Sequence, residues 1–326
     1  LLPTVISGAS AGSLIAALLG THTDDQLHQF FDPNNLELEA ESEASWINRL
    51  FRASSSRVDA SELEKIVHRL VPDMTFQQAY ELTGRYINIS VAPAEVHQTS
   101  RLLNAMTSPN VCIRSAVMAS HAVPGVYPAV TLRAINASGE EQGYLPSRKW
   151  TDGSLVDEMP AKRLARLYGV NHFIASQINP MVLLLHVNPE KRGGFGTLVR
   201  QIGERTLKEW IRLGHRMGRR YAADWPRLSL VSNTLASVIT QEYMADINII
   251  PHYRWFDPRR LLSPLSHKEL MKLIRAGEKA TWPKVEMIRN CSKISKKLDQ
   301  IVSEYEHESL RRLDHALSGD KVDNAA

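Results

Sequence analysis

Apolar and polar positions follow two different periods along the first half of the chain. An apolar run over residues 2–7 predicts a buried strand, and the small apolar residues 10–19 directly after it predict a helix. Alternating residues over 86–92 predict another strand, and apolar spacing over 113–120 predicts a helix that ends before Pro124. Strands and helices that alternate in this way indicate an α/β fold with a largely parallel sheet.

Further elements continue this alternation. Ser61, with Glu64 three positions later, matches a capping box, so a helix is predicted to begin at Ser61. The remaining predictions are helices at 24–31, 76–82 and 160–168, strands at 100–104, 172–176 and 182–187, and a hairpin-like region framed by 131–134 and 150–151.

The pattern changes after Gly196, where almost everything up to Leu317 predicts helix. We therefore expect an α/β domain over residues 1–190 and a helical region over 191–317 that packs on it. The polar residues 318–326 are expected to form a disordered tail.

Composition removes several classes of protein. The 326 residues are 43% hydrophobic and 23% charged, which excludes a wholly disordered or collagen-like chain. No run of 18 apolar residues is present, so no transmembrane helix is expected. The formal net charge is only +4, and aromatic residues interleave too sparsely with basic ones to predict a nucleic-acid partner.

Metal and disulfide chemistry are not expected either. Cys112 and Cys291 both lie among apolar residues, which favours buried structural thiols over a disulfide framework. No group of His, Cys or Asp residues has the spacing of metal ligands, so the sequence predicts neither a metal nor another cofactor.

The first residues of the chain are unusual. It begins at Leu1 without an initiating Met, and no basic region precedes an apolar stretch as in a signal peptide. We therefore expect a piece of a longer protein that lacks its N-terminal segment. The expected location is the cytoplasm or the surface of a membrane.

A G-x-S-x-G pattern lies between the first predicted strand and the first predicted helix. It consists of Gly8, Ser10 and Gly12 with Ala9 and Ala11 between them. In this context a serine projects from a sharp turn as a nucleophile, and the flanking glycines let strand and helix approach. The N–H of Ala11 at the helix start would then donate to an oxyanion. A Gly/Ser turn that merely closes an α/β unit is the alternative.

A nucleophilic serine needs a base, and the sequence offers two kinds. A histidine late in the chain would suit a Ser-His-Asp triad, but the late histidines lie in helical or polar segments without a clear strand before them. Asp152 follows a short apolar stretch and precedes Gly153, so it could act on Ser10 directly. By itself an Asp-Gly pair also fits an ordinary turn.

Taken together, the G-x-S-x-G pattern and the Asp152-Gly153 pair resemble the patatin-like phospholipase family. Intervening segments are similar to one branch of it, the yeast and plant triacylglycerol lipases and their bacterial relatives. The similarity extends from Leu1 to about Trp282 and is carried by residues 1–12, 70–93, 102–128 and 150–180.

The resemblance implies a function and a fold. Ser10 would be the nucleophile and Asp152 the base of a Ser-Asp dyad that cleaves triacylglycerol esters through an acyl-enzyme. The fold would be a patatin-like three-layer α/β sandwich with a mostly parallel central sheet and a helical C-terminal extension. Phospholipase A or lysophospholipase activity is the close alternative, and a non-catalytic lipid-binding protein with the patatin fold is an alternative of another class.

Two features depart from the family pattern. Ser154 follows Asp152-Gly153 where many members have Gly or Ala. The family also places a Gly-rich oxyanion loop upstream of the elbow, and this sequence begins downstream of that point. Because one lost oxyanion donor costs roughly 10²–10³-fold in rate, we expect this piece alone to be nearly inactive.

Two amphipathic stretches remain. Over 195–221 a basic stripe predicts either a lipid-facing surface on a membrane or lipid droplet, or a solvated face of a packed helix; it contains Arg205, Lys208, Arg212, Arg216 and Arg219. Over 289–317 apolar residues recur three and four apart, which fits packing onto the domain or a coiled-coil contact with another chain.

Overall fold

The N-terminal part of the protein alternates strands and helices. The structure is a computed structural model that describes residues 2–31, 60–95, 99–123, 127–153, 160–176, 245–251 and 267–323. Its first elements are β1 (Val5–Gly8), α1 (Ala11–Thr21), α2 (Asp24–Phe30), α3 (Ala60–Leu70), α4 (Phe76–Thr83) and β2 (Tyr86–Pro93).

Shorter elements follow. They are β3 (Arg101–Leu103), α5 (Ile113–His121), β4 (Arg133–Ile135), β5 (Glu141–Gly143), β6 (Trp150–Asp152), α6 (Ala161–Tyr168) and β7 (Ile174–Ser176). The predicted hairpin-like region is present, because β4 and β5 pair antiparallel. The predicted strand at 182–187 lies outside the described residues.

The centre of the fold is β2, which is buried along almost its whole length. Ile87, Ile89 and Val91 and the polar residues Asn88 and Ser90 between them are all at most 2% exposed. A strand covered on both faces in this way needs helices on either side. Helices α1, α4 and α5 contact β2, and α3 packs on α5.

The strands around β2 form a mixed sheet. β1 pairs with β2 in parallel, whereas β3 and β6 both pair with it antiparallel. The expected mostly parallel sheet is therefore not what the described strands show. For β3 the reason is that it follows β2 without a helix between the two strands, and a parallel partner needs such a crossover. β6 follows the antiparallel β4–β5 hairpin.

Local chemistry explains where the helices begin and end. Thr75 caps α4: its side chain accepts from Gln78 N–H, and the Gln78 side chain accepts from Thr75 N–H at 2.9 Å. Gly84, with φ of 66°, ends the helix in the left-handed conformation. The helix predicted to begin at Ser61 already includes Ala60, so Ser61 lies inside α3.

The region beyond residue 190 contains more than helix. Ile247–Ile249 forms β8, which pairs in parallel with β7 and so joins residues on either side of the predicted boundary. The described helices of this region are α7 (His267–Thr281) and α8 (Val285–Asp323), with a 3-10 turn at Trp282–Lys284 between them. Helix α8 extends to Asp323, into the segment 318–326 for which the sequence predicts a disordered tail.

The apolar stripe of α8 faces solvent. Ile294, Leu298 and Tyr305 are 67%, 58% and 68% exposed. The expected packing of this stripe onto the domain is therefore not observed for these side chains. None of the described helices has the length and apolar character needed to span a membrane.

The two cysteines differ in their surroundings. Cys112 is buried, and burial raises the pKa of its thiol to about 11. Cys291 on α8 is only half-buried, so the expected burial holds for the first thiol and in part for the second. Within the described ranges no three His, Cys, Asp or Glu side chains are grouped closely enough to hold a metal ion.

Candidate active site

The turn between β1 and α1 holds Ser10 in a strained backbone conformation. Its φ is 50° and its ψ is −126°, a combination that residues with a Cβ seldom adopt. Such strain persists only where the surroundings impose it, and it is concentrated at functional sites. Ser10 is half-buried, so its side chain retains access from outside. This is the geometry that the G-x-S-x-G pattern predicts.

Gly8 makes the sharp turn possible. A Cβ atom at Gly8 would lie 2.0 Å from the carbonyl oxygen of Gly12 and 2.7 Å from the nitrogen of Ser13. Any side chain there would push the start of α1 away from the end of β1. Gly12 has no such restriction, because a Cβ there would meet no described atom within 4 Å. The expected steric need for both glycines thus holds for Gly8 alone.

The first turn of α1 presents backbone donors near Ser10. Gly12 N–H donates to Ala9 O at 2.9 Å, and Ser13 N–H donates to Ser10 O at 2.8 Å. Among the described residues, none accepts a hydrogen bond from Ala11 N–H. The first N–H groups of a helix commonly lack partners and attract negative charge. The predicted oxyanion donor therefore has an N–H group available at the expected place.

Asp152 is the last residue of β6 and is only 2% exposed. Its N–H donates to Ala122 O at 3.0 Å, at the end of α5. The next residue, Gly153, lies directly against β2: a Cβ there would be 2.6 Å from both Ser90 C and Val91 N. Gly153 therefore lets the Asp-Gly turn approach the central strand.

The strand register brings Ser10 and Asp152 to the same edge of β2. Ile89 pairs with Gly8 on one side and Leu103 on the other. Val91 likewise pairs with Asp152 and with Arg101. Since β3 occupies one edge, β1 and β6 follow each other along the opposite edge.

The ends of β1 and β6 therefore face each other. β6 runs antiparallel to β2, so its final residue, Asp152, comes next to the end of β1 at Gly8. Their partners on β2 are two residues apart, which is about 6.6 Å along a strand. Ser10 lies two residues after Gly8, in the turn where the chain leaves the sheet next to the end of β6.

One buried serine that the sequence analysis did not single out connects these parts. Ser120 near the end of α5 accepts a hydrogen bond from Ser10 N–H at 2.9 Å and donates one to Ser90 O at 2.9 Å. Ser120 is 110 positions from Ser10 along the chain, and no local pattern marks a serine for such a contact. Only the folded arrangement of α5 over β2 reveals it.

Two other buried side chains lie close to this junction. Trp150 is fully buried on β6, and the Arg101 guanidinium carbon is 5.7 Å from the centre of its ring. His121, 4% exposed, follows Ser120 directly and its Nδ1 is 2.9 Å from Val117 O. Burial lowers the pKa of His121, so its imidazole is neutral at neutral pH.

The last predicted site residues are those of the basic stripe over 205–219. Arg205, Lys208, Arg212, Arg216 and Arg219 all lie outside the described residues. The basic stripe therefore remains a prediction from the sequence.

The fold and this site define a class: a mixed α/β protein with a serine on a strained strand-to-helix turn and a buried Asp-Gly turn beside it. A family model described as patatin-like phospholipase matches residues 1–165, about half of the chain. The chain belongs to the patatin-like phospholipase family.

Individual relatives are similar over most of the chain. It is 31% identical over 328 residues to triacylglycerol lipase SDP1L of Arabidopsis thaliana, covering 96% of this chain and 40% of that protein. It is 32% identical over 334 residues to triacylglycerol lipase 4 of Saccharomyces cerevisiae, covering 93% and 35%.

A third relative comes from a filamentous fungus. The patatin-like phospholipase domain-containing protein AN0408 of Emericella nidulans is 32% identical over 315 residues, covering 90% of this chain and 41% of that protein. The chain thus spans about two fifths of the length of these relatives. Among solved structures, VipD of Legionella pneumophila matches with a TM-score of 0.30 and 15% identity, over 84% of this chain and 61% of that one. A likeness that weak supports no argument about function.

Proposed function

We propose that the protein is a serine lipid acyl hydrolase that cleaves ester bonds of triacylglycerol through an acyl-enzyme. Ser10 is the nucleophile and Asp152 is the base. The observation that supports the proposal is that the strained turn of Ser10 and the buried Asp152 follow the ends of two strands at the same edge of β2.

In the first half of the proposed reaction, the Asp152 carboxylate takes the proton of the Ser10 hydroxyl while Ser10 Oγ attacks the ester carbonyl carbon. The carbonyl oxygen becomes an oxyanion, to which Ala11 N–H donates. When this intermediate collapses, the bond to the alcohol oxygen breaks. The protonated Asp152 gives its proton to that oxygen, and diacylglycerol leaves.

In the second half, Asp152 takes a proton from water, and the resulting hydroxide attacks the acyl carbon on Ser10. The second intermediate breaks its bond to Ser10 Oγ, which receives the proton back from Asp152. A fatty acid leaves, and both side chains return to their starting states. No metal or other cofactor enters either half.

Triacylglycerol is the preferred substrate in this proposal because two of the relatives are named triacylglycerol lipases. Phospholipase A or lysophospholipase activity is the second candidate, since the family model is described as a phospholipase. A non-catalytic lipid-binding protein is less well supported, because lipid binding alone requires neither a nucleophile such as Ser10 nor a base such as Asp152.

We also propose that this chain by itself is nearly inactive. The chain spans about two fifths of the length of its relatives, and the family resemblance places a Gly-rich oxyanion loop upstream of the Ser10 turn. The complete gene product would then supply additional oxyanion donors. Comparing labelling of the 326-residue chain and of the complete gene product by a fluorophosphonate measures this difference directly.

The test of the dyad uses the complete gene product and four proteins: the parent, Ser10→Ala, Asp152→Asn and Ser7→Ala. Ser7 is an exposed serine on β1, three residues before Ser10, and serves as the matched control. Each protein is treated with a fluorophosphonate and then assayed on emulsified triacylglycerol and on phospholipid vesicles.

We expect labelling in the parent and in Ser7→Ala and none in Ser10→Ala. Asp152→Asn should lose turnover on both substrates and keep the thermal midpoint of the parent within a few degrees. Labelling that is equal in Ser10→Ala and in the parent would show that Ser10 is not the nucleophile. Substantial turnover by Asp152→Asn would instead point to a different base. Faster release of fatty acid by the parent from phospholipid than from triacylglycerol would favour phospholipase activity, the second candidate.

A further inference from the structure

Ser120 occupies a special position between the nucleophile turn and the central strand. Its side chain is fully buried near the C-terminal end of α5. Its Oγ lies 2.9 Å from Ser10 N and 2.9 Å from Ser90 O. One hydroxyl group therefore connects the backbone of the proposed nucleophile with β2.

The direction of both hydrogen bonds follows from the chemistry of the groups. A carbonyl oxygen can only accept, so the Ser120 hydroxyl must donate its single hydrogen to Ser90 O. A backbone N–H can only donate, so Ser10 N–H must point at a lone pair of Ser120 Oγ. Both capacities of the hydroxyl are used, and an alanine would leave both partners without it.

The backbone of Ser10 needs such a partner. With φ of 50° it is in a sparsely populated conformation that persists only where neighbouring groups impose it. Its N–H precedes the helix and receives no acceptor from α1 itself. The Ser120 hydroxyl supplies that acceptor and so fixes the orientation of the peptide unit that leads into Ser10.

The same segment of α5 also holds the proposed base. Ala122, two residues after Ser120, accepts the hydrogen bond from Asp152 N–H at 3.0 Å. Ser90, which accepts from Ser120, is the residue against which Gly153 packs. The end of α5 thus contacts both halves of the proposed dyad through neighbouring positions.

We infer that Ser120 is a positioning residue, which holds Ser10 at the angle and distance from Asp152 that proton transfer requires. The inference rests on the proposed function in so far as it concerns catalysis. Ser120 itself does not touch the substrate, since its side chain is fully buried. A displacement of about 1 Å at a reacting group lowers a rate on the order of 10²-fold, which sets the expected size of the effect.

A matched control lies on the same helix. Ser115 is also buried, its Oγ donates to Cys112 O at 2.8 Å, and it accepts from Arg133 N–H at 3.0 Å. It therefore has the same side chain, the same helix and the same pair of hydrogen-bond roles. Its partners lie next to the β4–β5 hairpin and not at the Ser10 turn.

The experiment compares Ser120→Ala, Ser120→Cys and Ser115→Ala with the parent, all as the complete gene product. The rate constant for fluorophosphonate labelling and the kcat and KM on a soluble short-chain ester report on reactivity. Hydrogen exchange of the Ser10 amide, followed by NMR, reports on the hydrogen bond whether or not the protein is active. Thermal midpoints measure the loss of stability that all three variants share.

We expect Ser120→Ala to lower the labelling rate and kcat on the order of 10²-fold with KM nearly unchanged, and to speed exchange of the Ser10 amide. Ser120→Cys keeps the shape of the side chain with a slightly larger atom that is a weaker acceptor, and it should fall between alanine and the parent. Ser115→Ala should keep the parent's labelling rate and Ser10 exchange even if its midpoint drops.

Two results would overturn the inference: unchanged exchange of the Ser10 amide in Ser120→Ala and Ser120→Cys, or equal losses of labelling in Ser120→Ala and Ser115→Ala. Failure of the proposed function looks different. In that case the parent is not labelled at Ser10 at all, while the exchange measurement still decides whether Ser120 holds the turn.

Discussion

The site can form because two of its residues are glycines, which have no Cβ atom. Gly8 and Gly153 each lie where a Cβ would come within 2.7 Å of backbone atoms of the neighbouring segment. These contacts are with backbone and not with the flexible end of a side chain, so no rotamer change can relieve them. Gly8 lets the start of α1 approach the end of β1, and Gly153 lets the Asp-Gly turn approach β2.

We predict that Gly153→Ala weakens both the fold and the activity. The added methyl group must move the Asp-Gly turn away from Ser90, at a cost of about 1–3 kcal/mol in the free energy of unfolding. The shift carries Asp152 away from Ser10, so fluorophosphonate labelling should slow on the order of 10²-fold. Denaturant unfolding and labelling kinetics measure the two effects. An alanine variant as stable and reactive as the parent would show that β6 can shift freely.

A second prediction concerns the pH dependence of stability. Burial lowers the pKa of His121 in the folded state below its ordinary value of 6.5. Above pH 6.5 the imidazole is neutral in both states, and it adds no pH dependence. As pH falls below 6.5, the unfolded chain binds a proton that the folded chain refuses. Stability should therefore decrease by up to about 1.4 kcal/mol per pH unit until the folded-state pKa is reached.

The measurement is a series of unfolding curves between pH 7.5 and pH 4.5 for the parent, His121→Gln and His28→Gln. His28 is exposed on α2 and controls for the removal of an imidazole as such. His121→Gln should show a smaller decrease below pH 6.5 than the parent, whereas His28→Gln should follow the parent. Identical slopes in all three proteins would contradict the assignment of this effect to His121.

At the scale of elements, close packing of α1 on β2 sets the position of the nucleophile turn. A Cβ at Gly20 would lie 2.1 Å from Cγ1 of Ile87, a side chain that is only 2% exposed and packed in the core. The helix can therefore lie flat against the strand only with glycine at this point. Because α1 begins directly after Ser10, the position of this helix also sets the direction of the Ala11 N–H group.

We predict that Gly20→Ala destabilises the protein by about 1–3 kcal/mol, since it overpacks this contact. Gly277, inside α7, is the matched control because a Cβ there would meet nothing within 4 Å among the described residues. Gly277→Ala should be neutral or stabilise by about 0.5–1 kcal/mol, as expected for removing a glycine from a helix. Chemical denaturation of both variants gives the comparison, and equal effects would rule out the proposed packing constraint.

The elements themselves were largely predictable because their patterns are local. The strand before Ser10, the helix after it, β2 and α5 appear within one to three residues of their expected bounds. The capping box at Thr75, the strand at Ile247–Ile249 and the extension of α8 to Asp323 were not predicted. A three-residue strand is too short for a periodic pattern, and it exists only because β7 pairs with it.

At the scale of the whole molecule, the distribution of charge bears on how the protein would bind a lipid surface. The formal net charge of +4 is small, so any attraction to an anionic surface must come from local clusters. The basic stripe at 205–219 is one such cluster in the sequence. We propose that it lies on a lipid surface, with peripheral binding to a membrane or lipid droplet.

We predict that changing Arg212 and Arg216 together to Glu weakens co-sedimentation with vesicles that contain phosphatidylserine, by about 1 kcal/mol for each basic residue lost. Lys293 and Lys296, exposed on α8, provide a control with the same change in net charge when both are replaced by Glu. The control should bind nearly as the parent does, and added salt should reduce the difference. Equal binding by all three proteins would reject a lipid role for the stripe.

The sequence by itself determined the two motifs and the local elements around the first of them. A serine between glycines after an apolar run, and an aspartate before a glycine, can be recognised because each motif depends on neighbours a few residues away. The tertiary structure decided how these motifs relate. It made the sheet mixed, placed the ends of β1 and β6 together on one edge of β2, and brought Ser120 against Ser10 across 110 positions. Strand pairing and side-chain hydrogen bonds between distant segments depend on how helices cover both faces of β2, and no local pattern encodes that packing.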